Sequence, residues 1–139
     1  MKIILKSGNL FSATTHLAHC ISEDCNMGKG IALQFKRLFG GITELNRQRV
    51  KTGGLAVLQR DNRYIYCLVT KKYYYSLPTY ENLEKSLKCL RHHCITNNVE
   101  SLAIPKIGCG LDRLAWSRVY EIILNVFQGT DIDISVYVL

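Results

Sequence analysis

The chain has 139 residues, 47% of them hydrophobic and 21% charged, with a net charge of +7. That size and composition fit one compact domain over residues 1–139, too short for two comfortable cores and too apolar for disorder. No stretch approaches the ~20 apolar residues of a membrane span, and the opening run Ile3-Ile4-Leu5 is shorter than a secretion signal requires.

Residues 2–6 read as a short strand and His16 to Cys20 as a second. Ile31, Leu33 or Gln34, Phe35 and Leu38 predict a helix that opens just after Gly28-Lys29-Gly30. A shorter helix is expected around 42–49, before Gly53-Gly54 breaks the chain. Leu55–Arg60 and Arg63–Val69 flank Asp61-Asn62, a two-residue polar link that predicts a hairpin. Pro78-Thr79 opens the next helix, with Thr79 as N-cap and Tyr80, Leu83, Leu87, Leu90 and Cys94 as its apolar stripe. Ser101–Ile104 reads as a buried strand, Pro105–Asp112 as a glycine-containing loop, and Trp116, Val119, Ile123 and Val126 as another helical stripe. The last strand alternates Ile132, Ile134, Val136 and Val138 on one face with Asp133, Ser135 and Tyr137 on the other. Strands alternating with helices around one hairpin predict an α/β architecture, a mixed sheet with helices on both faces. Ligands of such sheets sit outside the carboxyl ends of the strands.

The positive charge favours polyanions: nucleic acid, anionic lipid or a phosphate-bearing small ligand. Charge alone does not choose among them, because the bases are spread, with only short clusters such as Lys36-Arg37 and Lys71-Lys72. The cysteines at 20, 25, 67, 89, 94 and 109 are expected to be reduced thiols, several of them small core residues. His16, His19, Cys20 and Cys25 lack the spacing of a structural zinc site, and strand alternation sends His19 and Cys20 to opposite faces, so no metal is expected. His92 and His93 are expected to flank a helical stripe at the surface.

Two glycine loops carry the best chemical signal. Met27-Gly28-Lys29-Gly30-Ile31-Ala32 precedes a helix, and Gly108-Cys109-Gly110-Leu111-Asp112 joins a strand to one. Glycine lets backbone N–H groups close on an anion, and a helix N-terminus adds a favourable dipole. Either loop alone is also a plausible tight turn. Two familiar phosphate motifs do not fit. A dinucleotide fingerprint needs glycine at 33, where Leu33 stands, and a P-loop needs glycine five residues before Gly28, where Glu23 stands. Lys71, just past the strand, is a candidate amine nucleophile toward an anomeric carbon, if desolvation or a nearby cation lowers its pKa. The plain alternative is a solvated pair with Lys72. Asp112 is a candidate general base or stabiliser of a cationic intermediate, and equally a helix N-cap. Tyr73-Tyr74-Tyr75 reads as a base-stacking patch, an exposed loop or a lid over a small ligand; its position after Lys71 favours the lid.

Together these segments resemble the macro domain family, and within it the terminal ADP-ribose protein glycohydrolase branch. The resemblance lies in Ser7-Gly8-Asn9-Leu10-Phe11, Leu17 to Cys25, Met27 to Ala32, Phe39-Gly40-Gly41, Arg63 to Tyr66, Thr70-Lys71-Lys72, Pro78 to Leu83, Pro105 to Leu114 and the closing Val136 to Leu139. It implies a three-layer α/β/α fold with an ADP-ribose cleft. It implies that Lys71 attacks the distal ribose to form a transient lysyl adduct, and that Asp112 completes release. Leu10 and Ser22 match ligand contacts, and Gly28, Lys29, Gly30 and Ile31 match the first phosphate loop. Lys106, Ile107, Gly108, Cys109, Gly110 and Leu111 match the second, and Leu139 matches a contact from the C-terminus. Asn9 stands where the family usually has Asp near the adenine; it keeps one acceptor and adds a donor. Lys29 replaces a residue that is usually small, adding a cation that either aids pyrophosphate binding or crowds the loop.

The implied function is hydrolysis of mono- or terminal ADP-ribose from glutamate and aspartate side chains, with no metal or cofactor. O-acyl-ADP-ribose and ADP-ribosylated nucleic acid carry related bonds. The competing readings are a non-catalytic ADP-ribose reader and a basic nucleic-acid-binding domain. The expected partners are ADP-ribose and ADP-ribosylated proteins, with ADP-ribosylated nucleic acid as a further one and no membrane. The chain is expected to be a monomer of the nucleus or cytosol.

Overall fold

The elements run β1 (Ile3–Ser7), β2 (His16–Ser22), α1 (Gly30–Phe39), α2 (Ile42–Gln48), β3 (Gly54–Arg60), β4 (Arg63–Lys71), α3 (Tyr80–Thr96), β5 (Ser101–Ile104), α4 (Trp116–Phe127) and β6 (Asp133–Val138), in a computed structural model that describes residues 1–139. Short 3-10 turns occupy Leu10–Ser12 and Gly110–Asp112. The strands form one sheet in the order β1-β6-β5-β2-β4-β3. Every neighbouring pair is parallel except the β3–β4 hairpin, so the sheet is mixed. At the hairpin tip Asp61 and Asn62 both have positive φ, 52° and 63°. That is the backbone a two-residue turn needs if it is to match the strand twist.

Side-chain alternation along the strands builds a core on each face. On one face Ala18, Tyr66, Leu68, Leu102, Ile104, Ile134 and Val136 meet Leu83, Leu87, Leu90 and Cys94 of α3 and Val119, Ile123, Val126 and Phe127 of α4. On the other, Leu17, Ile21, Ala56, Leu58, Ile65, Cys67, Val69 and Ala103 meet Phe35 of α1 and Leu45 of α2. The result is the three-layer α/β/α architecture. Thr79 caps α3 as its sequence implies, its side chain accepting from the Asn82 amide.

The stripe expected for α1 is corrected in one respect. Phe35 is buried, with Ile31, Ala32 and Phe39 packed against the same core, but Leu38 is 60% exposed and Gln34 is also exposed. The cause is a ring stack. His19 lies flat on Phe35, with centroids 3.7 Å apart and planes 2° from parallel, and this contact fixes the rotation of the helix about its axis.

The β3 edge is closed by a side chain. Gln48 Nε2 donates to the Val57 carbonyl at 2.9 Å, and Gln48 Oε1 accepts from the Val57 amide at 3.0 Å. A side-chain amide thus supplies what a further strand would, which blunts an edge open to pairing with other chains. Gln48→Ala should destabilise the fold by about 1 kcal/mol, read by urea denaturation, because it strands both groups of Val57.

Candidate active site

The carboxyl ends of β5, β2 and β4 lie side by side in the sheet, so the segments that follow them share one edge. They enclose a cleft of about 710 Å³, within the range of small-molecule sites. Its walls are the two glycine loops, and its remaining side is the segment after β4.

The first loop leads from β2 into α1. Gly28, Lys29, Gly30 and Ile31 line the cleft, and Lys29, the N-cap of α1, makes no side-chain cap hydrogen bond. The first amides of α1 are therefore free to meet an anion. The second loop presents Lys106, Ile107, Gly108, Cys109, Gly110 and Leu111. The loops nearly touch: a Cβ on Gly30, whose φ is +58°, would lie 3.1 Å from Leu111 Cδ1. Gly108, at φ +73°, is as constrained, since a Cβ there would lie 2.7 Å from Leu114 Cδ1.

Between the loops Lys71 Nζ donates to Asp112 Oδ1 at 2.7 Å, with 14% and 18% of the two side chains exposed. Asp112 does not cap α4. The N-cap of that helix is Ala115, whose amide donates to the Tyr80 hydroxyl at 2.9 Å. Lys71 does not form a solvated pair with Lys72, which lies over the Tyr73 ring at 5.5 Å.

A slip in strand register brings Lys71 to this place. Ile21 pairs with Val69, yet Ser22 pairs with Lys71, so Thr70 is left out as a bulge. The Glu23 amide donates to the Lys71 carbonyl at 2.9 Å and closes the slip. Such bulges re-aim side chains beside functional sites.

The other nucleophile types in the cleft are poorly activated. Burial, with Asp112 nearby, pushes the Cys20 thiol up to about 12, and burial also raises Cys109. A protonated thiol is a weak nucleophile. The Ser22 hydroxyl is hydrogen-bonded to Asp24 Oδ1, with no imidazole to serve it as base. All six cysteines are free, and burial holds the Cys67 and Cys94 thiols above their ordinary range as well.

The histidines belong to packing. His19 is fully buried, with Nε2 3.4 Å from Cys67 Sγ, while Cys20 packs on the opposite face of the sheet. His16 Nδ1 accepts from the Tyr64 amide at 2.9 Å at the far end of β2. His93 is held inward more than its sequence suggests: its Nδ1 is 2.8 Å from the hydroxyl of buried Tyr66.

Three of the residues singled out in the sequence lie apart from the cleft wall. Asn9 is exposed, and its side chain accepts from the Phe11 amide at 2.9 Å, capping the 3-10 turn. The Leu10 side chain is buried in the α1 core. Leu139 is fully exposed. Asn9 and Leu139 are brought to one place by the pairing of β1 with β6, where the Gly8 amide donates to the Val138 carbonyl at 2.9 Å.

Asn26, Ser76 and Leu77 also line the cleft and carry no sequence signal of their own, whereas Met27, Arg113 and Tyr74 and Tyr75 of the expected lid line it as segments already marked in the sequence. Arg113 follows Asp112 directly and holds an αL backbone at φ 65°.

Three layers around a mixed sheet, with two glycine loops facing across a cleft at the strand ends, define an α/β domain whose cleft presents free backbone amides and cations. The chain belongs to the Macro domain family, whose model matches residues 18–123. It is 55% identical over 140 residues to the human ADP-ribose glycohydrolase OARD1, covering 99% of this chain and 92% of that protein. It is 31% identical over 141 residues to a DNA ADP-ribosyl glycohydrolase of Thermus aquaticus, covering 94% of this chain and 39% of the longer relative. The solved macrodomain of Thermus aquaticus DarG superposes with a TM-score of 0.89 at 28% identity, covering 99% of this chain and 98% of that one.

His19 makes acid stability a direct test of the packing. Burial lowers its pKa from 6.5 to about 3. The folded state holds it neutral while the unfolded chain takes up a proton below pH 6.5, so stability falls as pH drops from about 6.5 toward 3. This one group contributes a slope of about 1.4 kcal/mol per pH unit in that window. Denaturation curves of His19→Gln at pH 7, 6, 5 and 4 should show that much less loss per unit than the wild type.

Proposed function

We propose that this protein is an ADP-ribose glycohydrolase that releases ADP-ribose from carboxylate side chains of proteins, with Lys71 as nucleophile and Asp112 as its acid–base partner. The observation that carries the reading is the 2.7 Å Lys71–Asp112 pair set between two glycine loops. The 55% identity to human ADP-ribose glycohydrolase OARD1 over nearly the whole chain supports the hydrolase assignment.

The chemistry follows from the pairing. The loop amides and Lys29 take the pyrophosphate, which orients the distal ribose toward Lys71. Asp112 accepts a proton from the lysine ammonium and so frees the amine lone pair. The amine forms a bond to the anomeric carbon as the bond to the ester oxygen breaks, and its electron pair leaves on the carboxylate. The Asp112 carboxyl lies beside the ribose as positive charge develops there. Water then forms a bond to the anomeric carbon as the carbon–lysine bond breaks; the leaving amine takes back its proton from Asp112, and the proton of water goes to the released carboxylate. The net reaction consumes one water and yields ADP-ribose and a free acid. Each step uses a group of this chain, the substrate or water.

The unpaired cations lining the cleft, Lys29, Lys106 and Arg113, also suit a carrier that is itself an anion. The likeness to a DNA ADP-ribosyl glycohydrolase supports nucleic acid as a second carrier of the same bond. In this reading a monomer suffices, because every group named lies in one chain.

Two measurements test the proposal. On a protein mono-ADP-ribosylated on glutamate, Lys71→Ala and Asp112→Ala should each lower the rate of ADP-ribose release by about 10²–10⁴-fold, the range expected for a positioned acid–base or nucleophilic group. Unchanged turnover in Lys71→Ala would remove the lysyl adduct. Calorimetry of Lys29→Ala should show ADP-ribose binding weakened by about tenfold, as one charge-assisted contact is lost.

A further inference from the structure

The tyrosine loop is lightly held. Tyr74, Tyr75 and Leu77 all line the cleft, and each is more than half exposed, so none is anchored in a core. The loop closes its own turn through the Ser76 amide, which donates to the Tyr73 carbonyl at 3.0 Å. Between residues 73 and 77, the hydrogen bond that reaches the rest of the molecule runs from the Tyr74 amide to Asp24 Oδ2, at 2.9 Å. Segments with so few buried contacts open readily, and a single tie then decides their position.

The same carboxylate serves two other walls. Asp24 Oδ1 accepts from the Ser22 hydroxyl at the end of β2 and from the Asn26 amide at 3.0 Å in the first glycine loop. Ser22, Asn26 and Tyr74 all line the cleft. We infer that Asp24 is a positioning residue, whose carboxylate latches the tyrosine loop over the cleft as a lid and so sets how tightly ADP-ribose is held. The identity of the ligand rests on the function proposed above; the latch itself does not. Burial alone would raise the Asp24 pKa, but the bonds from Ser22, Tyr74 and Asn26, together with the Lys71 charge, outweigh it and hold the carboxyl below its ordinary range. The latch is therefore ionised and closed at neutral pH.

The side-chain type matters. Three donors converge on two oxygens, and two of them are backbone amides that cannot reverse. Asparagine has the same shape but one oxygen, so in either orientation its NH₂ faces a backbone N–H. Asp24→Asn thus breaks a tie without emptying space.

The experiment compares wild type with Asp24→Asn. In the free proteins, chymotrypsin should cut after Tyr73, Tyr74 or Tyr75 about tenfold faster in the variant, with the rest of the chain still resistant. With glutamate-linked substrate, KM and the ADP-ribose Kd should rise about tenfold while kcat stays within about twofold, the signature of lost ground-state holding. Equal cleavage at residues 73–75 in both Asp24→Asn and Asp24→Ala, which keeps no oxygen for the Tyr74 amide, or a fall in kcat with Kd unchanged, would overturn the latch. Hydrogen exchange of the wild type asks the same question without a substitution. The Tyr74 amide should be protected above that of Tyr75, and a Tyr74 amide exchanging as freely as Tyr75 would overturn the proposal even if Asp24→Asn failed to fold. A wild type that binds no ADP-ribose would sink the function instead, and cleavage of the free protein would still judge the latch.

Discussion

Everything at the cleft depends on how β2 pairs with β4. The two strands run parallel through the centre of the sheet in strict register from Leu17–Ile65 to Ile21–Val69, and then slip by one residue. A slip of one exchanges the faces that side chains present, because strand side chains alternate with a period of two. Lys71 therefore stands opposite Ser22 and beside the second glycine loop, where it reaches Asp112. The slip has a cost. Thr70 is buried and its hydroxyl has no hydrogen-bond partner, a loss of about 1–3 kcal/mol. Strain of this kind persists where the surrounding structure over-determines it. Here the fully paired strands below and the Glu23–Lys71 backbone bond above do so.

Charge in the cleft divides along the same line. Lys71 and Asp112 neutralise each other at a partly buried site, so the pair has little long-range field to draw in an anion. That task falls to groups without an ion-pair partner. Lys29, Lys106 and Arg113 line the cleft, and none is in a salt bridge, although Lys106 lies over the Trp116 ring at 5.7 Å. The α1 amides add a partial positive charge that needs no side chain. In the proposed reaction, capture of the diphosphate and attack on the sugar carbon thus rest on different atoms.

How much of this was legible in the sequence depends on how local the cause is. The α3 stripe of Leu83, Leu87, Leu90 and Cys94 and the Asp61-Asn62 turn are set by neighbours in the chain, and both stand where the pattern puts them. Leu38 fails because a helical stripe about as wide as a face admits several rotations, and the His19–Phe35 stack selects one. Gln48 gives no sign of its role, since nothing in its sequence neighbourhood marks the edge it closes. At the cleft, glycine spacing marks the loops, but the pairing of Lys71 with Asp112 spans 41 residues and needs the bulge, which no residue pattern announces. Asp24 is the least legible, because only two of its donors, at 22 and 26, are chain neighbours, and the third, at 74, reaches it only in three dimensions.

Rigidity is distributed to suit this arrangement. Lys71 stands at the end of β4 just past the bulge and Asp112 in a tight 3-10 turn, and the strands beneath them are buried on both faces. The anion-facing loops are fixed by backbone that few residues adopt: positive φ at Gly30, Gly108 and Gly110, and at Cys25, Met27 and Arg113. Such conformations leave little freedom once the neighbouring elements are in place. The tyrosine loop differs in kind, with exposed rings that stack on each other, Tyr73 on Tyr75 at 5.2 Å, more than on the body of the protein. A site built this way can open to admit a bulky carrier without disturbing the geometry of Lys71 and Asp112. The lid can also vary in sequence while the chemistry stays, because its one tie to the body is made by a backbone amide and not by a tyrosine ring.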